Sequence, residues 1–320
     1  MDLIYTNKNK IDIGVLKDYA FDLAFGSDEN DFQLSVDAGN NVCEEDYLVY
    51  IEGTEYGGII DAIEVKTDKK EIKYKGRTWH GILNSKIIQP SSGYDYYTVS
   101  GDLNTIIGTV LSRLTLTGLF SAKSTSSGIT VSNYSFKRYV GGYDGLVALL
   151  ASAGAKLHME YLSTGVVELS AVAIHNYSDD ELDSDHINFQ IKKMYNPVNH
   201  LICLGRGELR NRTVIHLYCD ASGNISTTQT FTGMEEYADV YDYPNVESST
   251  ELRKEGEKKL RELNSSDKID VNLDDTYEFD IGDILSAVDE TTGISVTMTV
   301  TKKIVKINKD IITVNYKVGE

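Results

Sequence analysis

The sequence predicts an α+β protein, mainly β, built from two similar β domains with an inserted mixed α/β domain. Three observations lead there. The segment from Asp46 to Gly76 is echoed near the other end by the segment from Asp283 to Gly319. The apolar pattern changes from period two to spacings of three and four after Pro90, and returns to strand texture at Asn199. The chain of 320 residues is also long for one core.

Both echoed segments open with Asp-x-Leu and an apolar run. They turn at a Thr/Gly cluster, Thr54–Gly58 in one and Thr291–Gly293 in the other, and finish as two strands around a lysine-rich turn. The last part aligns without a gap: Val65 with Val305, Lys66 with Lys306, Asp68 with Asn308, Lys69 with Lys309 and Ile72 with Ile312, a constant shift of 240. The first half needs a shift of 236 (293 − 57), so one turn differs in length.

Residues 1–95 read as the first β domain. Phe32, Leu34 and Val36 share one strand face. Tyr47–Ile51, Gly58–Lys66 and Glu71–Lys75 follow as strands separated by polar turns, the pattern of a sandwich or barrel. Ser91–Tyr97 reads as a loop. Residues 96–190 form the α/β insert. Asp102 precedes Ile106, Ile107, Val110, Leu111 and Leu114 in helical spacing, with Gly118 as a stop. A second helix is expected over Asp144–Ala153, then strands Lys156–Tyr161 and Val166–Ala173. Residues 191–320 read as the second β domain, although strands within 191–218 could complete the first. The capping box Ser248–Glu251 opens a helix over 248–264 with Leu252, Gly256, Leu260 and Leu263 on one stripe. The hairpin signal Asn308-Lys309-Asp310 lies in the final meander.

A formal net charge of −18 argues against a protein whose task is gripping nucleic acid. Cys43, Cys203 and Cys219 are odd in number and widely spaced, as expected of reduced structural thiols. The N-terminus shows no signal-peptide pattern, and no apolar run approaches the ~20 residues that span a bilayer.

Catalytic patterns are sparse. The six histidines form no HExxH, and neither a GxSxG elbow nor a P-loop is present. His158 and Glu160 alternate onto one strand face and could bind metal or act as an acid/base pair; a half-exposed strand histidine is the plainer reading. Gly205-Arg206-Gly207 begins a dinucleotide fingerprint, but Arg210 stands at its last glycine position. Asp179, Asp180, Glu181, Asp183 and Asp185 could bind calcium, or form a solvated turn. The 49 Asp and Glu residues leave a carboxylate-based glycoside or peptidoglycan hydrolase as the alternative function, and a surface-binding adhesin as a third reading. No catalytic, cofactor or metal residue is assigned. The charged turn Arg206, Glu208, Arg210 is the candidate site, either a subunit interface or a solvated turn.

The order of several stretches resembles the tail-hub proteins of bacteriophages and contractile injection particles, more narrowly the Gp37-like siphovirus family. They are Asn30–Leu34, Gly57–Ile60 leading to Lys75–Arg77, Tyr195–Asn199 leading to Gly205–Glu208, Phe279–Ile284 and Tyr316–Gly319. The resemblance implies two tube-like β domains per chain and a homotrimeric ring. That ring would dock a sixfold tail tube or distal tail protein on one side and a threefold central spike or fibre on the other. It implies a structural, non-enzymatic role in a virion tail or phage-like particle assembled in the bacterial cytoplasm, with no cofactor. DNA would pass through the channel without specific binding. Because the chain stops where the second β domain ends, no C-terminal hydrolase module is expected.

Overall fold

Alternating apolar side chains in the first part of the chain become seven strands: β1 (Leu3–Thr6), β2 (Asp12–Leu16), β3 (Tyr19–Gly26), β4 (Asp31–Asp37), β5 (Leu48–Tyr50), β6 (Gly57–Lys66) and β7 (Glu71–Thr78). The computed structural model describes residues 1–320 except 69, 178–181, 184–187, 193–196, 247, 265–267, 273–277, 290–293, 310 and 320. At 66, 182–183, 188–192, 268–272, 287–289 and 294–296 it describes the backbone alone.

Helix α1 (Trp79–Asn84) follows β7 directly, capped by the Thr78 hydroxyl. The insert continues with β8 (Ile87–Ile88), β9 (Thr98–Asp102), α2 (Leu103–Arg113), β10 (Phe120–Ala122), β11 (Thr130–Ser135), β12 (Val140–Gly141), α3 (Gly142–Ala151), β13 (Ala155–Tyr161) and β14 (Val167–Ala173). Asp102 caps α2 as its position predicts, accepting from the N–H groups of Asn104 and Thr105. The helix stops earlier than Gly118, at Leu114, and Thr115 takes the left-handed conformation that ends it. Ile106, Ile107, Val110 and Leu111 pack with Leu146, Leu149 and Leu150 of α3. The same core takes in Leu48, Tyr50, Trp79, Ile82 and Leu83, so the insert shares its core with the end of the first β segment.

Beyond β15 (Leu182–Asp183) and β16 (Asn188–Lys192), the chain forms β17 (His200–Leu204), β18 (Val214–Cys219), β19 (Ile225–Ser226), β20 (Ala238–Asp242), α4 (Ser249–Asn264) and β21 (Lys268–Asn272). It ends with β22 (Ile284–Asp289), β23 (Ile294–Asn308) and β24 (Ile311–Gly319). Two compact units result: Met1–Phe189 with Val271–Gly319, and Gln190–Asp270. In the second, the sheet β19-β18-β17-β20 packs Leu201, Cys203 and Leu217 against Leu252 and Leu260 of α4. Gly256 allows that approach, since a Cβ there would lie 2.4 Å from the Cys203 sulfur.

The first unit holds an eleven-stranded sheet, β15-β22-β23-β3-β4-β7-β6-β5-β1-β2, with β24 also paired to β23. The chain is therefore mainly β around a large sheet, as expected. The boundaries differ from those the sequence suggests. Residues 191–320 are divided between the two units, because β23 hydrogen-bonds to β3 from Lys302↔Gly26 to Asn308↔Ala20. That strand extends the N-terminal sheet; β17 and β18, within 191–218, belong to the separate four-stranded sheet.

The internal echo is a repeated ladder. Leu48 pairs with Ile59 and Ile284 with Thr299, shifts of 236 and 240. The Asp46 N–H donates to the Ile60 carbonyl and the Gly282 N–H to the Val300 carbonyl, at 2.9 and 2.8 Å. Both middle strands bulge at equivalent residues: β6 between Ile60 and Ala62, β23 between Val300 and Lys302. The gapless alignment fails in the return strand. Val65 faces Ile72, but Val305 faces Val314 rather than Ile312. The turn between strands spans residues 67–70 in the first copy and 309–310 in the second, two residues fewer, so the return strand is shifted by 242. A slip of two keeps every side chain on its face. It superposes Tyr74 on Tyr316, both buried, and their hydroxyls accept from the N–H groups of Cys43 (3.4 Å) and Phe279 (3.1 Å).

The β6 bulge brings Gly76 against Ile59, where a Cβ would lie 1.8 Å from the carbonyl oxygen. Gly76→Ala is expected to cost about 2–4 kcal/mol through forced separation of β6 and β7. Urea denaturation of the purified variant checks this.

Candidate functional site

Two lysines side by side inside an apolar strand, Lys302 and Lys303, are the most unusual feature of β23. The bulge at Thr301 lies just ahead of them, and both are 5% exposed. Each finds a carboxylate. Lys302 pairs with Glu29. Lys303 sits between Glu55 (2.7 Å), from the loop ahead of β6, and Asp280 (2.8 Å), from the loop ahead of β22. The other oxygen of Asp280 accepts from Lys156 of β13 at 2.9 Å. Lys156 also donates to both oxygens of Asp283, at 2.7 and 2.8 Å. Asp283 is fully buried and accepts from the backbone N–H groups of His175 and Asp280. Three carboxylates and two ammonium groups thus tie three parts of the first unit together: the first ladder, the insert and the second ladder.

The electrostatics hold Asp280 and Lys303 in their charged forms. Burial raises Asp280, but Lys303 and Lys156 outweigh it and bring its pKa down to about 2. Burial lowers Lys303, but Glu55 and Asp280 outweigh it and raise it above the ordinary lysine value. His80 lies beside the cluster, its Nε2 3.6 Å from Glu55. Burial, then the Lys303 charge, pushes His80 down to about 3, so it is neutral. Its ring stacks on Phe25 at 4.4 Å. A cleft of about 450 Å³ opens next to Lys303, lined among others by Glu55, Tyr56, Glu160, Asp280 and Tyr316. Proton-transfer catalysis needs a group whose pKa sits near the working pH. Here the shifts run the other way, toward fixed charge and structural cohesion.

The sequence-predicted turn lies in the second unit as the β17–β18 connection. Gly207 has φ +107°, and a Cβ there would meet the Asn211 carbonyl at 2.5 Å, so the turn needs glycine. Arg206, Glu208 and Arg210 are all exposed; the Arg206 and Glu208 carbonyls accept from the N–H groups of Thr213 and Asn211, at 2.9 and 3.0 Å, while the three side chains make no hydrogen bond or ion pair with the described residues. Leu209, at their centre, is 92% exposed. The anchoring is done by Arg212, which donates to the Gly205 carbonyl at 3.0 Å and pairs with Asp242.

His158 and Glu160 lie on one face of β13, 3.9 Å apart and both about half exposed. The acidic run 179–185 lies outside the described residues apart from the backbone of Leu182–Asp183. Cys43, Cys203 and Cys219 are buried free thiols, and burial pushes Cys203 up to about 11. Among the described residues no cluster of three or more His, Cys, Asp or Glu side chains suits a metal ion. Among the described residues no helix is long and apolar enough to cross a membrane. The second unit adds a line of polar contacts the sequence does not announce: Glu236 to His200 Nδ1 at 2.6 Å, and His200 Nε2 to His216 Nδ1 at 2.8 Å. With Asn199, which bonds the backbone of Glu235 and Tyr237, it pins the segment before β20 to the sheet.

Sequence reasoning missed the Glu55–Lys303–Asp280–Lys156–Asp283 cluster. Its one visible signal is the Lys302-Lys303 pair in a strand whose neighbours are Val and Ile.

No protein-family model and no curated protein sequence matches the chain. Solved structures do. A prophage MuSo2 43 kDa tail protein from Shewanella oneidensis aligns over 100% of this chain and 98% of its own, with TM-score 0.52 and 11% identity. The tail protein from Neisseria meningitidis MC58 covers 96% and 93%, with TM-score 0.48 and 13% identity. Prophage tail protein gp18 from Listeria monocytogenes EGD-e covers 99% and 94%, with TM-score 0.49 and 14% identity. At these identities the likeness to the Shewanella protein is one of fold: the chain shares the fold of a prophage tail protein.

Proposed function

We propose that the chain is a structural hub of a phage or phage-derived tail. Three copies close a ring that joins a sixfold tail tube to a threefold central spike or fibre. The observation that carries this reading is the repeated ladder, which matches pairing for pairing and bulge for bulge. Three chains with two such ladders each present six alike modules, so one ring meets a sixfold neighbour on one side and a threefold one on the other. The fold shared with a prophage tail protein supports the same reading. The role is structural. The most buried carboxylates are locked in ion pairs, whereas a glycosidase acid needs its pKa raised toward neutrality.

Native mass spectrometry of the full chain tests the ring. The expected species has three times the 35.6 kDa chain mass. Because each copy carries −18, that species should gain abundance as salt screens the repulsion. A spectrum with only the single-chain mass, at tens of micromolar protein and at every salt concentration, would contradict the proposal.

A further inference from the structure

The chain carries −18, yet one stretch of the insert's surface reverses the sign. β8 and β12 pair at Ile88↔Val140 and Ile87↔Gly141, and β9 and β11 pair from Thr98↔Ser135 to Asp102↔Thr130. Between these two ladders the segments 89–97 and 136–139 run side by side, and the Phe136 N–H donates to the Tyr97 carbonyl at 2.9 Å. Lys137 and Arg138 lie on this stretch, with Lys86 just ahead of β8 and Arg113 at the end of α2; all four are exposed. The acids here are Asp95 and, at the margin, Asp144, which accepts from Asn84 at 3.2 Å. Four cations stand against two carboxylates.

The same surface is aromatic. Tyr94 is 72%, Tyr96 54% and Tyr139 62% exposed. Arg113 donates to the Gln89 carbonyl at 2.8 Å and to Ser91 Oγ at 3.2 Å, and its guanidinium lies 4.3 Å from the centre of the Tyr97 ring. Tyr97 stacks on the buried Phe136, so this Arg–Tyr pair rests on the core of the insert. Arg138 lies 5.5 Å from the centre of the Tyr139 ring. Tyr139 has φ +53°, in the left-handed region that bulky residues avoid. A fold that holds an exposed tyrosine there gives up stability to present the ring, and such strain gathers at functional positions. The loop 91–97 reads Ser-Ser-Gly-Tyr-Asp-Tyr-Tyr. Tyrosine among serine and glycine is the composition of protein-binding loops: the rings give broad contact with two torsions to fix, and the small residues give adaptable hydrogen bonds. Tyrosine and arginine are also the residues that dominate binding energy at protein interfaces.

We infer that this Tyr/Arg surface of the insert binds a second copy of this chain, on a carboxylate-rich face of that copy. The loop composition points to a protein, the charge to an acidic one, and the ring to another copy of this chain, which is such a protein. Two chains at −18 repel, and like charges set against one another across an interface are costly. Contact between copies therefore needs a surface of inverted sign on one of them, and the stretch from Lys86 to Arg138 supplies it. Tyr94, Tyr96 and Tyr139 add the contact area, and the cations select the acidic side of the neighbour. The contact is head-to-tail: the insert of one copy meets a different face of the next, and such contacts close into rings. The inference rests on the ring proposed above and assigns one of its contact surfaces.

The test uses the full chain. Tyr94→Ser with Tyr139→Asn removes two rings, and asparagine accepts the left-handed conformation that tyrosine resists. The melting temperature of this double variant should therefore hold or rise. Its association, followed by sedimentation velocity, should weaken about 100-fold. Lys137→Glu with Arg138→Glu should weaken it at least as much, whereas Met234→Ser, at a residue 99% exposed in the second unit, should associate normally. A benzophenone attached at Tyr94→Cys should crosslink to a segment rich in Asp and Glu on another copy. If both double variants assemble like the unaltered chain, or the crosslink forms only within one copy, the surface assignment is wrong while the ring stands. If they assemble normally but lose retention on a cell-wall polysaccharide that the unaltered chain binds, the surface takes a glycan and the inference is overturned. If the unaltered chain never assembles, ring and surface fall together.

Discussion

Lys303→Met is expected to destabilise the first unit by about 3–5 kcal/mol, among the largest effects open to a single substitution in this chain. Methionine matches the aliphatic length of lysine, so lost packing contributes little. What remains is an electrostatic deficit. Glu55 and Asp280 both face Lys303 within 2.8 Å, and Asp280 keeps only Lys156 once the ammonium is gone. Glu55, its side chain only 18% exposed, must then protonate, draw in water or pull its loop apart, and each is costly, whereas the half-exposed Asp280 is partly relieved by water. Replacing the whole group with well-packed apolar residues would be far milder, because breaking one half of a buried pair is what costs. Lys303→Met with Glu55→Gln should therefore recover part of the loss, a coupling readable in a double-mutant cycle by urea denaturation. Equal and additive losses would mean that the two side chains do not act as a pair. The loss should also loosen the insert, since Asp280 is the bridge between Lys303 and Lys156. Hydrogen exchange in β13 reports that directly.

The second large effect is on pH dependence, through His80. An unfolded imidazole titrates near ~6.5. In the fold the His80 ring is buried against Phe25 and pushed down to about 3. The native state therefore binds fewer protons than the unfolded state throughout that interval. Stability from this residue is complete above the unfolded value and falls as the pH drops toward 3, at roughly 1.4 kcal/mol per pH unit. Between pH 6.5 and 4.5 the expected loss is about 2–3 kcal/mol. His80→Phe removes the titrating group and keeps the flat stack. It also removes Nδ1, a buried nitrogen without a hydrogen-bond partner. The variant should thus be no less stable at pH 7 and clearly more stable at pH 4.5. Urea midpoints at the two pH values provide the check, and an unchanged acid slope in the variant would assign the slope to other groups.

Much of the local structure was legible because its signals are local. The three-and-four spacing from Ile106 to Leu114 gave α2, and Ser248 with Glu251 marked the start of α4. The internal echo was legible in Asp-x-Leu and in the Val-Lys ending of the middle strand. Its return strand was misread because Ile72 and Ile312 coincide at the wrong offset, while the true match, Tyr74-Lys75 with Tyr316-Lys317, hides behind a turn shortened by two residues. Glu55 and Asp280 could not be picked out from 49 acidic residues, since their meaning comes from a lysine far away in sequence. Pairing of β23 to β3 joins residues some 280 apart, and no periodicity within either strand announces it. The Arg206, Glu208, Arg210 segment is a turn, as its residues suggest, and its exposed side chains leave its role as a subunit contact a proposal.

The central claim is that two alike ladders per chain become six alike modules in one ring. End-on electron-microscopy averages of the assembled full chain test it most directly. The account predicts a closed ring with true threefold symmetry, whose inner wall shows six near-equivalent sheet modules joined edge to edge. A ring with a different number of chains, or one in which β6 and β23 occupy unrelated positions, would contradict it.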